Sequence, residues 1–139
     1  MNGHAVRKFR LSDKFISQYE DKKVPWGPVG YITYKRTYSR RLDEKTPGAV
    51  GTEEWFQTCR RVIEGMFNMQ KQHVSHLGLE WNDAKAQQTA KEAYDRLFDL
   101  KWTPPGRGLW MMGTKFVEER TAAGLFNCAF RSTKDISTK

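Results

Sequence analysis

Thr52-Glu53-Glu54-Trp55-Phe56-Gln57-Thr58-Cys59-Arg60-Arg61-Val62-Ile63-Glu64-Gly65-Met66-Phe67 carries the clearest periodic signal in the chain. Apolar side chains fall at Trp55, Phe56, Cys59, Val62, Ile63, Met66 and Phe67, the i, i+3, i+4, i+7 spacing that gives a helix one buried face. Thr52 is the expected N-cap, with Glu53 and Glu54 in the first turn, where the helix dipole favours acids. Downstream, Gly78 ends whatever follows this helix, and Asn82 or Asp83 caps a second. In that second helix Ala86, Ala90, Ala93, Tyr94, Leu97 and Phe98 line one side. Upstream, Leu11-Ser12-Asp13 opens a short helix to about Asp21, with Ser12 as N-cap and Phe15 and Ile16 facing inward. Pro25 and Pro28 break the stretch 22–30, Tyr31 to Tyr34 is short and β-prone, and 43–51 is a loop. Thr103-Pro104-Pro105-Gly106-Arg107-Gly108 reads as non-helical. Thr114 to Ala123 reads as a short polar helix stopped by Gly124, and Leu125 to Phe130 as a buried strand. The expected fold class is mainly α, with one or two short strands.

Composition narrows the function classes. The chain has 139 residues, with 24 Lys and Arg against 16 Asp and Glu, a net charge of +8. That length suits one domain and excludes a complete (β/α)₈ barrel of ~250 residues. No run of ~18 apolar residues suggests a membrane span, and the first fifteen residues lack the apolar core of a secretory signal. Two cysteines are no disulfide framework, so a reducing cytoplasmic setting is expected. Residues 1–50 hold 11 Lys and Arg against 5 Asp and Glu, so most of the excess lies there. Lys35, Arg36, Arg40 and Arg41 are interleaved with Tyr31, Tyr34 and Tyr38. Such a cluster suits nucleic acid, with Arg on phosphate and Tyr stacking on bases. It equally suits an amphipathic element with its rings packed inward, and composition leaves both open.

Other candidate chemistry is sparse. His73 and His76 stand at i, i+3 and could share a metal, but no third ligand lies nearby, so no metal site is expected. Cys59 lies on the apolar face of the long helix and reads as a small buried hydrophobe. Cys128, in Asn127-Cys128-Ala129-Phe130, has no nearby histidine and reads from spacing alone as structural. Pro104-Pro105-Gly106-Arg107-Gly108 looks like an anion-approach loop but lacks the Gly-Lys-Ser/Thr ending of a P-loop.

Taken together, several blocks resemble one family. Val24-Pro25-Trp26-Gly27-Pro28-Val29-Gly30-Tyr31 and its continuation through Arg40-Arg41 closely resemble the N-terminal signature of the monomeric, adenosylcobalamin-dependent (class II) ribonucleotide reductases. The resemblance continues in order through Glu54-Trp55, Arg60-Arg61-Val62-Ile63-Glu64-Gly65, Pro105-Gly106-Arg107-Gly108-Leu109-Trp110, Gly113-Thr114 and Asn127-Cys128-Ala129-Phe130, over about residues 11–133.

The resemblance implies a chemistry. In the family, cobalt–carbon homolysis produces a thiyl radical on a barrel cysteine, which takes the 3′ hydrogen of a ribonucleotide, and the 2′ hydroxyl leaves as water. Two cysteines on neighbouring strands supply the electrons, and thioredoxin restores them by exchange through a C-terminal pair. Cys128 matches the first strand's member of that reducing pair, which reverses the structural reading from spacing. Asn127, Gly113 and Thr114 are expected near the substrate phosphates. The fold implied is the helical N-terminal region (1–123), followed by the first barrel strand and a polar tail (124–139), with the rest of the α/β barrel missing. Adenosylcobalamin would be bound mainly by that missing portion. The expected partners are the remainder of the reductase, a ribonucleotide and a thioredoxin-type reductant, with no membrane, and the resemblance disfavours nucleic acid.

This chain lacks the radical cysteine, the second reducing cysteine and the shuttle pair, so alone it is expected to be inactive. Three readings remain, in this order. The first is a split or interrupted piece of a reductase. The second is a non-catalytic nucleotide- or partner-binding module, and the third is a basic nucleic-acid-binding domain.

Overall fold

Ser12 Oγ accepts a hydrogen bond from the Phe15 amide and so starts α1 (Asp13–Ile16), as its N-cap position in the sequence implies. This is a computed structural model describing residues 7–120 and 122–126. A 3₁₀ turn, Ser17–Tyr19, continues α1, and α2 (Pro28–Thr37) follows the Pro/Trp break. Then come a 3₁₀ turn at Leu42–Glu44, α3 (Trp55–His76), α4 (Asp83–Phe98), α5 (Gly106–Met111), α6 (Lys115–Glu119) and a last 3₁₀ turn, Ala122–Leu125. No helix among the described residues is long and apolar enough to cross a membrane.

The architecture is helical, as expected, and its centre is the α3–α4 hairpin. Val62, Ile63, Cys59, Ala90, Tyr94 and Leu97 are fully buried in their contact. Two polar bonds set the register: Trp55 Nε1 donates to the Phe98 carbonyl (3.0 Å), and the Tyr94 hydroxyl donates to the Phe56 carbonyl (2.9 Å). Asn82 caps α4 by accepting from the Lys85 amide. Ile16 and Tyr19 pack onto this hairpin, with Tyr19 edge-on to Tyr94, while Phe15 is only half-buried. Ahead of α1 runs an extended strap. Phe9 and Leu11 are among the largest fully buried side chains, and the backbone of the strap bonds to side chains of α3. Asn68 Oδ1 accepts from the Phe9 amide (2.7 Å), Glu64 Oε1 accepts from the Leu11 amide (3.1 Å), and Arg60 donates to the Leu11 carbonyl (3.1 Å).

Four local expectations need correction. Tyr31 to Tyr34 is helical, within α2, because Pro28 sits in its first turn with φ already set and no strand among the described residues lies alongside to pair with. The helix is anchored by Tyr34, which stacks on Trp26 and meets Trp55 edge-on. The N-cap of α3 is Glu54, not Thr52. Glu54 and Gln57 form a reciprocal capping box, while Thr52 is still extended and bridges Arg41. Gly106 to Gly108 is helical, since the two prolines precede α5 rather than interrupt it and Leu109 is buried beneath it. Finally, Gly124 lies inside the last 3₁₀ turn together with Leu125, and Phe126 is exposed, so no strand begins at Leu125. No strand occurs among the described residues, and the remainder of the expected strand, 127–130, lies outside them.

Candidate functional site

Glu53 and Arg61 form a buried ion pair at the entrance of α3, with side chains 6% and 3% exposed. A buried pair needs its remaining valences filled, and here they are. Arg61 donates to Glu53 and also to the carbonyls of Leu109 (3.1 Å) and Met112 (2.7 Å). Glu53 accepts in addition from Thr58 Oγ1 (2.8 Å), and its backbone carbonyl accepts from the Tyr34 hydroxyl, Lys35 Nζ and Ser39 Oγ. Burial raises the Tyr34 phenol well above its ordinary pKa, so it serves as a neutral donor.

Through Arg61, α3 holds the end of α5 and the turn after it. The turn comes unusually close. Gly113 has φ +73°, and a Cβ there would lie 2.3 Å from the Arg61 carbonyl oxygen. A Cβ on Gly65 would lie 2.5 Å from the Gly113 amide nitrogen. Backbone thus packs on backbone where α3 meets the turn, and only glycine on both sides permits it. Thr114 Oγ1 donates to the Met111 carbonyl (2.7 Å), closing the turn.

Gly113 and Thr114 form one wall of a cleft of about 470 Å³. The other walls are the strap at Lys8–Arg10, the turn around Arg40, Arg41 and Lys45, and the α3 face at Glu64, Gly65 and Asn68. Seven cationic side chains and four carboxylates line it, so its field is positive. Gly113 and Thr114, two of the residues that the resemblance singles out, line this cleft. Sequence reasoning missed Lys8 and Arg10 of the strap, Lys45 and Lys115, which come from three separate segments and belong to no shared motif.

The other candidates are dispersed. Asn127 and Cys128 lie outside the described residues. Cys59 is fully buried, and desolvation raises its thiol pKa well above the ordinary value against the pull of Arg61, which leaves it inert. His73 and His76 are exposed at the end of α3, and no group of three potential metal ligands occurs among the described residues. The Tyr/Arg cluster is largely committed to the fold. Tyr34 is in the core, Lys35 pairs with Glu54, Arg40 with Glu44 and Arg41 with Asp43, while Tyr31 and Arg36 remain exposed.

Comparison with known proteins points to one family. The family described as ribonucleotide reductase alpha domain matches residues 11–114. A protein of Dictyostelium discoideum named probable adenosylcobalamin-dependent ribonucleoside-triphosphate reductase is 43% identical over 134 residues, covering 94% of this chain and 17% of its own length. The adenosylcobalamin-dependent ribonucleoside-triphosphate reductase of Euglena gracilis is 38% identical, covering 92% of this chain and 17% of its own. A crystal structure titled B-12 dependent (class II) ribonucleotide reductase superposes with a TM-score of 0.69 at 34% identity, over 86% of this chain and 16% of that one. The chain thus spans about a sixth of the length of the curated relatives it matches.

Proposed function

This chain belongs to the ribonucleotide reductase alpha family, and from that premise we propose that it is the N-terminal piece of an adenosylcobalamin-dependent reductase. The piece acts on ribonucleoside triphosphates only when joined to the remainder. The length relation carries this reading: nearly all of the chain matches about a sixth of each relative. In the joined enzyme the Cys128 thiol and a second thiol from the remainder become a disulfide. Their two electrons and two protons turn the ribonucleotide into a deoxyribonucleotide, with the 2′ hydroxyl leaving as water. A thioredoxin-type dithiol then reduces that disulfide. Gly113, Thr114 and Asn127 lie toward the substrate phosphates, a role supported by the positive cleft beside the first two.

Adenosylcobalamin supplies the radical chemistry in such an enzyme, but the residues described here do not fit it. The cleft is walled by charged side chains, which suit a small anion rather than a corrin ring. The cofactor therefore belongs to the remainder. Trp110, Phe116 and Phe126 are exposed at the end of the chain that leads to Cys128, and they give that remainder an apolar surface to cover.

Complementation tests the proposal. The chain is mixed with the remaining portion of a class II reductase, adenosylcobalamin, thioredoxin and a ribonucleoside triphosphate, and deoxynucleotide is assayed. Activity is expected only with both pieces and is lost in Cys128→Ser. Turnover by the 139-residue chain alone would overturn the claim of dependence. A folded complex with no turnover would favour a non-catalytic binding module.

A further inference from the structure

The five N–H groups of the Arg61 guanidinium are all committed. Nε donates to both Glu53 carboxylate oxygens (2.8 and 3.1 Å). One terminal nitrogen donates to the Met112 and Trp110 carbonyls (2.7 and 3.4 Å), and the other to Glu53 Oε2 and the Leu109 carbonyl (3.0 and 3.1 Å). A guanidinium has no sixth N–H, so Arg61 borders the cleft without a donor to offer a ligand. Glu53 reaches the other way. Its amide donates to the Arg40 carbonyl (2.7 Å), its Oε2 accepts from the Arg40 amide (3.3 Å), and its carbonyl accepts from Ser39 Oγ (2.6 Å). One wall of the cleft, the turn around Arg40 and Arg41, thus hangs on Glu53, while another, at Gly113 and Thr114, hangs on Arg61. We infer that Glu53 and Arg61 are a positioning pair, which fixes these two walls relative to each other and thereby sets how tightly the substrate is held between them.

Stability does not account for the pair. Well-packed apolar side chains of the same volume often serve a buried site as well or better. Apolar side chains here could fill the space, but they could neither accept from the Arg40 amide nor donate to the Leu109 and Met112 carbonyls. What the pair adds is direction, through charge-assisted bonds whose planar fork tolerates few arrangements. A second link makes the coupling stiff. Gly113 lies so close to the Arg61 backbone that a Cβ on it would come within 2.3 Å of the Arg61 carbonyl oxygen, so movement of α3 at Arg61 is passed on by direct contact. The substrate here is that of the reductase reading, on which this inference rests, whereas the coupling of the two walls stands on the hydrogen bonds alone.

Arg61→Lys tests the inference, because it keeps the charge but its compact ammonium has no fork to span Glu53 and two carbonyls. In the joined enzyme the variant should raise KM for the ribonucleoside triphosphate about tenfold while kcat stays within about twofold. Glu53→Gln, approaching from the other wall, should move KM the same way. Ile63→Val, in the fully buried hairpin core, is the control. Destabilisation alone lowers the active fraction, hence kcat, and leaves KM as it was. That pattern in Arg61→Lys would make the pair merely structural and overturn the inference. The coupling is read separately on the 139-residue chain, with spin labels at Lys45→Cys and Lys115→Cys in a Cys128→Ser background. Arg61→Lys should broaden the distribution of distances between the labels, and Ile63→Val should not. An unchanged distribution in Arg61→Lys would overturn the inference whether or not the pieces complement. If the unmodified pieces form no active enzyme, the reductase reading fails and the claim on substrate affinity falls with it, while the label distances still decide whether the pair couples the walls.

Discussion

In the α3–α4 hairpin, Val62, Ile63, Ala90, Tyr94 and Leu97 expose nothing to solvent. In the segment from Gly106 to Phe126 only Gly108, Leu109 and Val117 are buried among the described residues, while Trp110, Phe116 and Phe126 stand exposed. The hairpin is held by apolar area spread over many side chains, so the loss of one is partial. The later segment is held at a few points: one guanidinium on its carbonyls, one glycine–glycine contact, the Lys8–Glu118 ion pair and the buried Leu109 and Val117 side chains. A region held that way can be precise in position while contributing little core of its own, which suits the wall of a binding cleft.

The sharpest way to break this contrast is Arg61→Met. It strands the Glu53 carboxylate in the interior and frees the Leu109 and Met112 carbonyls together, and the expected loss is about 3–5 kcal/mol in denaturant unfolding. Glu53→Gln added to Arg61→Met should recover part of that loss, since the stranded charge is then gone. An unchanged unfolding midpoint for the single variant would mean that the buried pair does not organise the segment.

Gly65→Ala separates the two regions more finely. The new methyl meets the Gly113 backbone rather than a movable side chain, so the turn must retreat, at a cost of about 1–3 kcal/mol. Hydrogen exchange should quicken in residues 111–119 while α4 keeps its protection. Uniform loss of protection in both would show that the regions are not separable.

The smallest expected effect lies at the hairpin's own start. Glu54→Ala removes one half of the capping box and should cost about 1 kcal/mol, whereas Thr52→Ala should fall within about 0.5 kcal/mol of the unmodified chain. Thermal melts of the two variants decide between them, and the reverse order would restore Thr52 as the cap.

The same contrast explains what could be read from the amino acids alone. The two long helices announce themselves, because burial of one face imposes a 3.6-residue period on Trp55 to Phe67 and on Ala86 to Phe98. Short elements carry no such period. Tyr31 to Tyr34 has β-prone residues, yet it is helical because Pro28 starts the turn and Tyr34 finds a pocket against Trp26 and Trp55. Glu53 looks like a first-turn acid but is the buried partner of Arg61, a role set by residues more than forty positions away on α5. Within the cleft, Gly113 and Thr114 were legible through the family resemblance, whereas Arg10, Lys45 and Lys115 were not. Three cations far apart in sequence line one cleft only because the strap, the 42–45 turn and α6 are brought to one place.

The strap also sets a timetable. Phe9 and Leu11 are made before their partners on α3, Glu64 lying 53 residues after Leu11. Lys8 meets Glu118 only after a further stretch of chain, 110 residues after itself. At roughly 5–20 residues per second on the ribosome, the two aromatic and aliphatic anchors wait for several seconds with nowhere to dock. The strap residues therefore settle well after they are made, and the cleft that they wall cannot exist until Glu118 has been synthesised.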